Sequence, residues 1–324
     1  MMARPAAMPP TGPAPLPAPA ATTPAPHDGV SFVVPVYNKA DVLPPVLEAI
    51  AAQTGDFPRE YIFIDDGSTD ASADVLRALT ADWPNVRTLS QPNRGSAAAT
   101  NAGLAAARMP FVKCVDADDL LTRDATRLLL DALLADPSAV LAYGDRMFFA
   151  PGAQPDLSTT GGGAITRCDA PLLPALRNAL FNPTQFLTRT HLARAVGGCD
   201  ERVVFSQEYS LTLRLARHGA FVHLHQTLAH LLDDPVNRLS NDQARQLQRV
   251  TRAVGLFVAD YPDLPNTAVR FACRRNANRA WHFARRRRQA HIGSRWFWHA
   301  VRGRLGLWRD AAGFIAACEA VYDR

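Results

Sequence analysis

The chain has 324 residues, a net charge of +5, 48% hydrophobic residues and 20% charged residues. That composition is globular and excludes wholesale disorder, collagen and coiled coil. No apolar run reaches the ~18 residues that a membrane-spanning helix needs, and the length suggests roughly two domains. Five cysteines are scattered without CxxC spacing, which argues against a disulfide framework or a structural zinc site and for a reducing compartment. Charge is unevenly placed. Between Arg270 and Arg309 there are twelve arginines and no acidic residue, so the remainder of the chain carries −7. Only two lysines occur, Lys39 and Lys113. A basic tail on an acidic body points to an anionic partner; a solvated helix face explains it as well.

Nine of the first 27 residues are proline. Residues 1–28 therefore read as a disordered leader, and no continuous apolar stretch makes it a secretory signal. From Val30 the apolar, β-branched run SFVVPVY predicts a buried strand. A helix is expected over residues 41–53, with Pro44 and Pro45 in its first turn, where missing N–H groups cost little. Strands are expected at 61–65, 86–90 and 111–116, and helices at 69–79, 96–107 and 122–134. Ser68 or Thr69 would cap the second helix. Strands alternating with such helices imply βαβ units and a mostly parallel sheet. A mixed segment follows, with strands at 140–149, 186–188 and 221–225 and a helix at 207–218. Helices at 241–259, 266–288 and 294–318 end the chain. The fold class is α/β: a Rossmann-type central sheet flanked by helices, with a helical C-terminal extension. Residues 29–235 are expected to form one domain with a division near residue 120, and 236–324 the arginine-rich helical region.

In open parallel sheets, ligands bind outside the carboxyl ends of the strands. Polar residues gather there: Pro35-Val36-Tyr37-Asn38, Asp65-Asp66-Gly67-Ser68 and Asp116-Ala117-Asp118-Asp119. No GxGxxG follows the first strand and no GxxxxGK[ST] occurs, which disfavours nicotinamide-dinucleotide and P-loop chemistry. Closely spaced carboxylates at a strand end are hard ligands suited to Mg²⁺ or Mn²⁺. They also suit a solvated turn in which Asp119 or Thr122 caps the next helix. His223 and His225 share one strand face, but no neighbouring acidic or cysteine residue in the sequence completes a metal set, so they read as structural histidines.

Taken in order, four segments resemble the inverting family-2 glycosyltransferases with the nucleotide-sugar-binding GT-A fold. They are VVPVYNKADVLPPVLEAIAAQ, YIFIDDGSTDAS, NRGSAAATNAGLAAA and CVDADDLL. A fifth, VGGCDERVVFSQEYSLTLRLARHG, resembles that family's acceptor-side segment. The resemblance implies transfer of a sugar from a nucleotide donor, expected to be a UDP-sugar, to a saccharide or lipid-linked acceptor. It implies that Pro35, Tyr37 and Asp65 form the nucleoside pocket, with Asp65 reading the base, and that Asp116 contacts the ribose. Asp118, or Asp119 in its place, would ligate Mn²⁺ or Mg²⁺. Two departures stand out. Thr100 replaces a frequent arginine, for which Arg94 is the candidate substitute. Gln207-Glu208 replaces a usual Glu-Asp pair, which makes Glu208 the candidate catalytic base. Arg238-Leu239-Ser240 lies where relatives carry a loop over the diphosphate. The alternative is a non-catalytic binder of nucleotide sugars, anionic polymers or membranes on the same fold. Arg295-Trp296-Phe297-Trp298 with Trp308 suggests either a cytoplasmic membrane-surface helix or aromatics packed beneath the domain. No nucleic-acid recognition module accompanies it.

Overall fold

The computed structural model describes residues 28–159, 162–203, 207–233 and 242–323. The Pro-rich leader through residue 27 and Arg238–Ser240 lie outside the described residues. Four strands come first: β1 (Val30–Val36), β2 (Arg59–Asp65), β3 (Val86–Ser90) and β4 (Phe111–Cys114). They pair in parallel in the order β3-β2-β1-β4. Both faces of β1 are covered, which is why VSFVVPV runs apolar without alternation.

Helices α1 (Leu43–Ala51), α2 (Ser72–Leu79) and α3 (Ser96–Ala106) connect them. The second helix starts three residues later than expected. Ser68 and Thr69 do not cap it: the Ser68 hydroxyl accepts from Asn38 N at 3.1 Å, and Thr69 N donates to the Asn38 side chain at 2.8 Å. These polar residues tie two strand-end loops together. Gly67 at the hinge of its loop has φ +75°, and a Cβ there would meet Asn93 N at 2.8 Å, so only glycine fits.

Beyond β4 the sheet is mixed. The two-residue β5 (Leu120–Leu121) precedes α4 (Ala125–Ala135), β6 (Ala139–Phe149), β7 (Ile165–Cys168) and α5 (Leu172–Arg177). Then come β8 (Phe186–Arg189), α6 (Thr190–Ala195), α7 (Gln207–Leu215) and β9 (Ala220–Leu232). Strand β8 bridges β4 and β6 antiparallel, and β6 pairs in parallel with β9. Strand β9 runs seven residues past the expected end because β5 pairs with it at Ala229 and His230 while β6 follows it to Leu232. Leu120 and Leu121, by pairing there, also shift the start of α4 from Thr122 to Ala125.

Four helices end the described chain: α8 (Gln243–Asp260), α9 (Asn266–Arg286), α10 (Arg295–Leu305) and α11 (Ala311–Ala316). The single long helix expected from Ser294 is two, because Gly306 adopts a left-handed conformation and closes α10 on Arg302 O. One apolar core lies between the sheet and α1, α2 and α4; the other packs under α3, α6 and α7 and continues through α8 and α9 to α11. The C-terminal helices thus share a core with the sheet.

Candidate active site

The carboxyl ends of β1, β2 and β4 open into a cleft of about 1190 Å³. Pro35, Tyr37, Arg94, Asp116, Asp118, Asp119 and Glu208 all line it. Tyr37 is 45% exposed, an aromatic face open to a ligand. Asp65 is not among the lining residues: it is buried, and its carboxylate accepts from Ser68 N at 3.0 Å. Asp66 lines the cleft instead. Its carboxylate accepts from Gln91 Nε2 at 2.7 Å, Arg94 N at 3.0 Å and Gly95 N at 2.8 Å, fixing the entry to α3. The Arg94 guanidinium pairs with Glu201 at 2.8 Å, in the turn at residues 199–202. That turn is held from α3, where Asn101 donates to Cys199 O and Glu201 and accepts from Cys199 N. Arg214 braces it from below through Gly198 O at 3.0 Å and Asp200 at 3.1 Å.

The acidic cluster has its own scaffold. Neither Asp119 nor Thr122 caps α4: its N-cap position is Asp124. Asp119 is 5% exposed and accepts from the Thr184 hydroxyl at 2.8 Å. The same hydroxyl oxygen accepts from Asp116 N at 3.0 Å. Thr184 is held in turn by Lys113, fully buried, whose ammonium donates to Thr184 O and, at 3.1 Å, to Phe186 O. Burial lowers Lys113 to about 7. Burial, and then the charges of Asp119, Asp118 and Glu208, push Asp116 well above the usual carboxylate range. Burial and Asp118 push Asp119 upward too. Asp118 is partly exposed, and the Lys39 ammonium sits on its Oδ2 at 2.5 Å.

These carboxylates fit a hard divalent cation, because Mg²⁺-type ions bind through one or two carboxylates and fill their remaining positions with phosphate and water. Both candidates line the cleft, but Asp118 is partly exposed there while Asp119 is buried and accepts from Thr184. Glu208, in the first turn of α7, is raised to about 7 by burial, against the opposing charge of Arg146. A carboxylate so poised can accept a proton near neutral pH.

The sequence reading gave no role to Lys39, Lys113, Thr184 or Arg146 and named Asp66 only within a strand-end polar cluster. The scarcity of lysine was the available signal: Lys39 pairs with Asp118, and Lys113 holds Thr184, which donates to Asp119. Helices α8 and α9 also contribute, with Gln246, Leu247, Arg249 and Arg279 lining the far wall. The tail's aromatics do not form a membrane face. Trp296 is buried, Trp308 packs on the core and stacks near Phe314 at 5.5 Å, and Phe297 packs on Trp281 at 5.5 Å. Only Trp298 of the three tail tryptophans is exposed, so the interfacial reading loses its anchors. Among the described residues, no helix is long and apolar enough to cross a membrane.

Residues 31–160 match the family model for glycosyl transferase family 2. That stretch is similar to a family 2 glycosyl transferase domain. Its sequence is 30% identical over 201 residues to the chondroitin synthase of Pasteurella multocida, covering 61% of this chain and 20% of that protein. The chain thus spans about a fifth of the length of such curated relatives. The fold of the chain is similar to S. aureus TarS 1–349 in complex with UDP, with a TM-score of 0.61 at 18% identity over 91% of this chain and 89% of that one. It is also similar to the mannosyltransferase PcManGT from Pyrobaculum calidifontis in complex with GDP-Man and Mn²⁺, with a TM-score of 0.54 at 19% identity over 95% and 88%. At these identities the two structures establish a GT-A-like fold.

Proposed function

We propose that this glycosyltransferase moves a sugar from a nucleotide-sugar donor, a UDP-sugar first among them, to an acceptor hydroxyl with inversion, in the assembly of a surface polysaccharide or glycolipid. The observation that carries the reading is the single cleft shared by Tyr37, Asp116, Asp118 and Glu208. UDP in TarS supports a uridine donor, and GDP-Man with Mn²⁺ in PcManGT supports a nucleotide sugar held with a divalent ion. The chondroitin synthase relative supports a saccharide acceptor.

In this reading Pro35 and Tyr37 pack on the base, with Asp66 in the place first given to Asp65, and Asp116 meets the ribose. Asp118 would hold Mn²⁺ or Mg²⁺, which when bound would supply positive charge against the departing diphosphate. Glu208 takes the proton of the acceptor hydroxyl as its oxygen attacks the anomeric carbon. The bond from that carbon to the diphosphate oxygen breaks on the opposite face, which inverts the configuration.

Glu208→Gln is the decisive variant. It is expected to keep donor affinity while single-turnover transfer falls by about 10²–10⁴-fold, the usual contribution of a positioned base. The wild-type rate should fall as pH drops through about 7, and the variant should lack that limb. Stability moves oppositely. A carboxyl raised from 4.5 to about 7 holds its proton longer in the folded state, so folding weakens as pH rises across that interval and the Gln variant escapes the loss. Wild-type transfer rates in Glu208→Gln would remove the base and favour the non-catalytic binder.

A further inference from the structure

Strand β6 leaves its regular register with β9 around Gly144, Asp145 and Arg146. The irregularity brings the Asp145 carboxylate to His223, whose Nε2 lies 2.8 Å from Asp145 Oδ1. His225, two residues on, stands beside it with ring centroids 4.0 Å apart. The Tyr143 ring stacks on His223 at 4.4 Å and 7°, which fixes the imidazole plane. His225 Nε2 is 2.9 Å from the Thr166 hydroxyl across β7. One ligand atom from each of Asp145, His223 and His225 falls within 4.8 Å of the others. Among the described residues, no other trio of His, Cys, Asp or Glu converges in this way. The acidic partner missing from the neighbourhood in sequence is supplied by a strand 78 residues away.

We propose that Asp145, His223 and His225 form a second metal site, distinct from the carboxylate cluster at Asp118. Two imidazoles and one carboxylate are the donors of a zinc-type site with an open fourth position, at metal–ligand distances of about 2.0–2.2 Å. Imidazole selects Zn²⁺, Co²⁺, Ni²⁺ or Cu²⁺ over the hard Mg²⁺ and Mn²⁺ suited to an all-oxygen cluster. Asp145 is 48% exposed and His225 is exposed, so an ion has access and solvent can complete its shell. Closing the trio around an ion requires the exposed His225 ring to turn from Thr166 and the His223–Asp145 hydrogen bond to open so that both groups face the ion. A bound ion pins the β6 irregularity. Arg146, the next residue, lines the donor cleft and opposes the charge of Glu208. The site therefore ties the placement of a cleft arginine to a cross-strand clamp.

The test is calorimetric titration of Zn²⁺ into the full chain, purified without a polyhistidine tag, in excess Mg²⁺ to occupy Asp118. About one zinc per chain is expected, and Asp118→Asn should leave that stoichiometry unchanged. His225→Ala, at an exposed position, and His223→Gln, which keeps a polar side chain of similar reach, should each abolish it. Co²⁺ in place of zinc should give the visible absorption of a low-coordinate nitrogen–oxygen site, again lost in both variants. No zinc uptake by the wild-type chain, or uptake that survives in His223→Gln/His225→Ala, overturns the proposal.

Discussion

The acidic end of the sheet and the arginine-rich C-terminal helices each concentrate one sign of charge, and they dispose of it in opposite ways. The carboxylates converge inward from strand ends, where burial and mutual repulsion raise Asp116 and Asp119. Lys39 and the Lys113–Thr184 strut then hold the cluster together. The arginines mostly diverge: ten of the twelve are exposed, spread around α9 and α10 with their stems over apolar side chains. Arg275 and Arg279 are the inward pair. Arg275 donates to Asn178 at 2.7 Å and Arg279 lines the cleft wall. Charge density along a sequence therefore says little about a site until convergence and burial are known.

The sharpest way to break this contrast is Asp118→Asn. Removing the charge that faces the cleft should cost at least about 10³-fold in transfer, since metal stabilisation of a leaving diphosphate is worth several kcal/mol. Steady-state rates at graded Mn²⁺ check it, and an unchanged metal requirement would contradict the assignment. Asp119→Asn in parallel tests the register of the cluster.

A smaller effect is expected one layer down. Thr184→Val keeps shape but leaves the Asp119 carboxylate and Asp116 N–H without their shared partner. The loss should be about 1–3 kcal/mol of stability, read by denaturant titration, together with a raised Mn²⁺ requirement. A stability loss with unaltered metal response would make the strut purely structural. The smallest effect belongs to the other region. Arg285→Gln/Arg286→Gln/Arg288→Gln spares Arg287, which stacks on Phe283 at 4.7 Å. Melting temperature and transfer to a water-soluble acceptor should both be unmoved, because these guanidinium groups face solvent. A large loss of transfer would show that the outer arginines engage the acceptor.

The first four strands were legible because each is an apolar run bounded by a turn. β5 and β7 were not: two and four residues long, they gain their identity from pairing with β9 rather than from periodicity. The same cross-strand pairing hid the true length of β9. In the cleft, motif spacing indicated most of the lining. Asp65 and Asp66 are both buried and only the second of the pair lines the cleft, a difference the sequence does not show. Lys113 was invisible for a different reason. A lysine inside the strand FVKC reads as an exposed edge position, whereas here it is fully buried beneath the cluster. Asp145 was missed because its partners are on another strand.

The Lys39–Asp118 contact makes the cleft its own placeholder. If Asp118 holds a divalent ion as proposed, that ion would have to displace a tethered ammonium that already satisfies part of the field. Such an exchange would lower the apparent metal affinity, since one cation replaces another. It would also free a cation on a long flexible stem near the phosphates of a bound donor, whose negative charge would reward its departure from Asp118. Metal and donor should therefore arrive as cooperating ligands, each tighter in the other's presence, with the lysine as the group that changes hands.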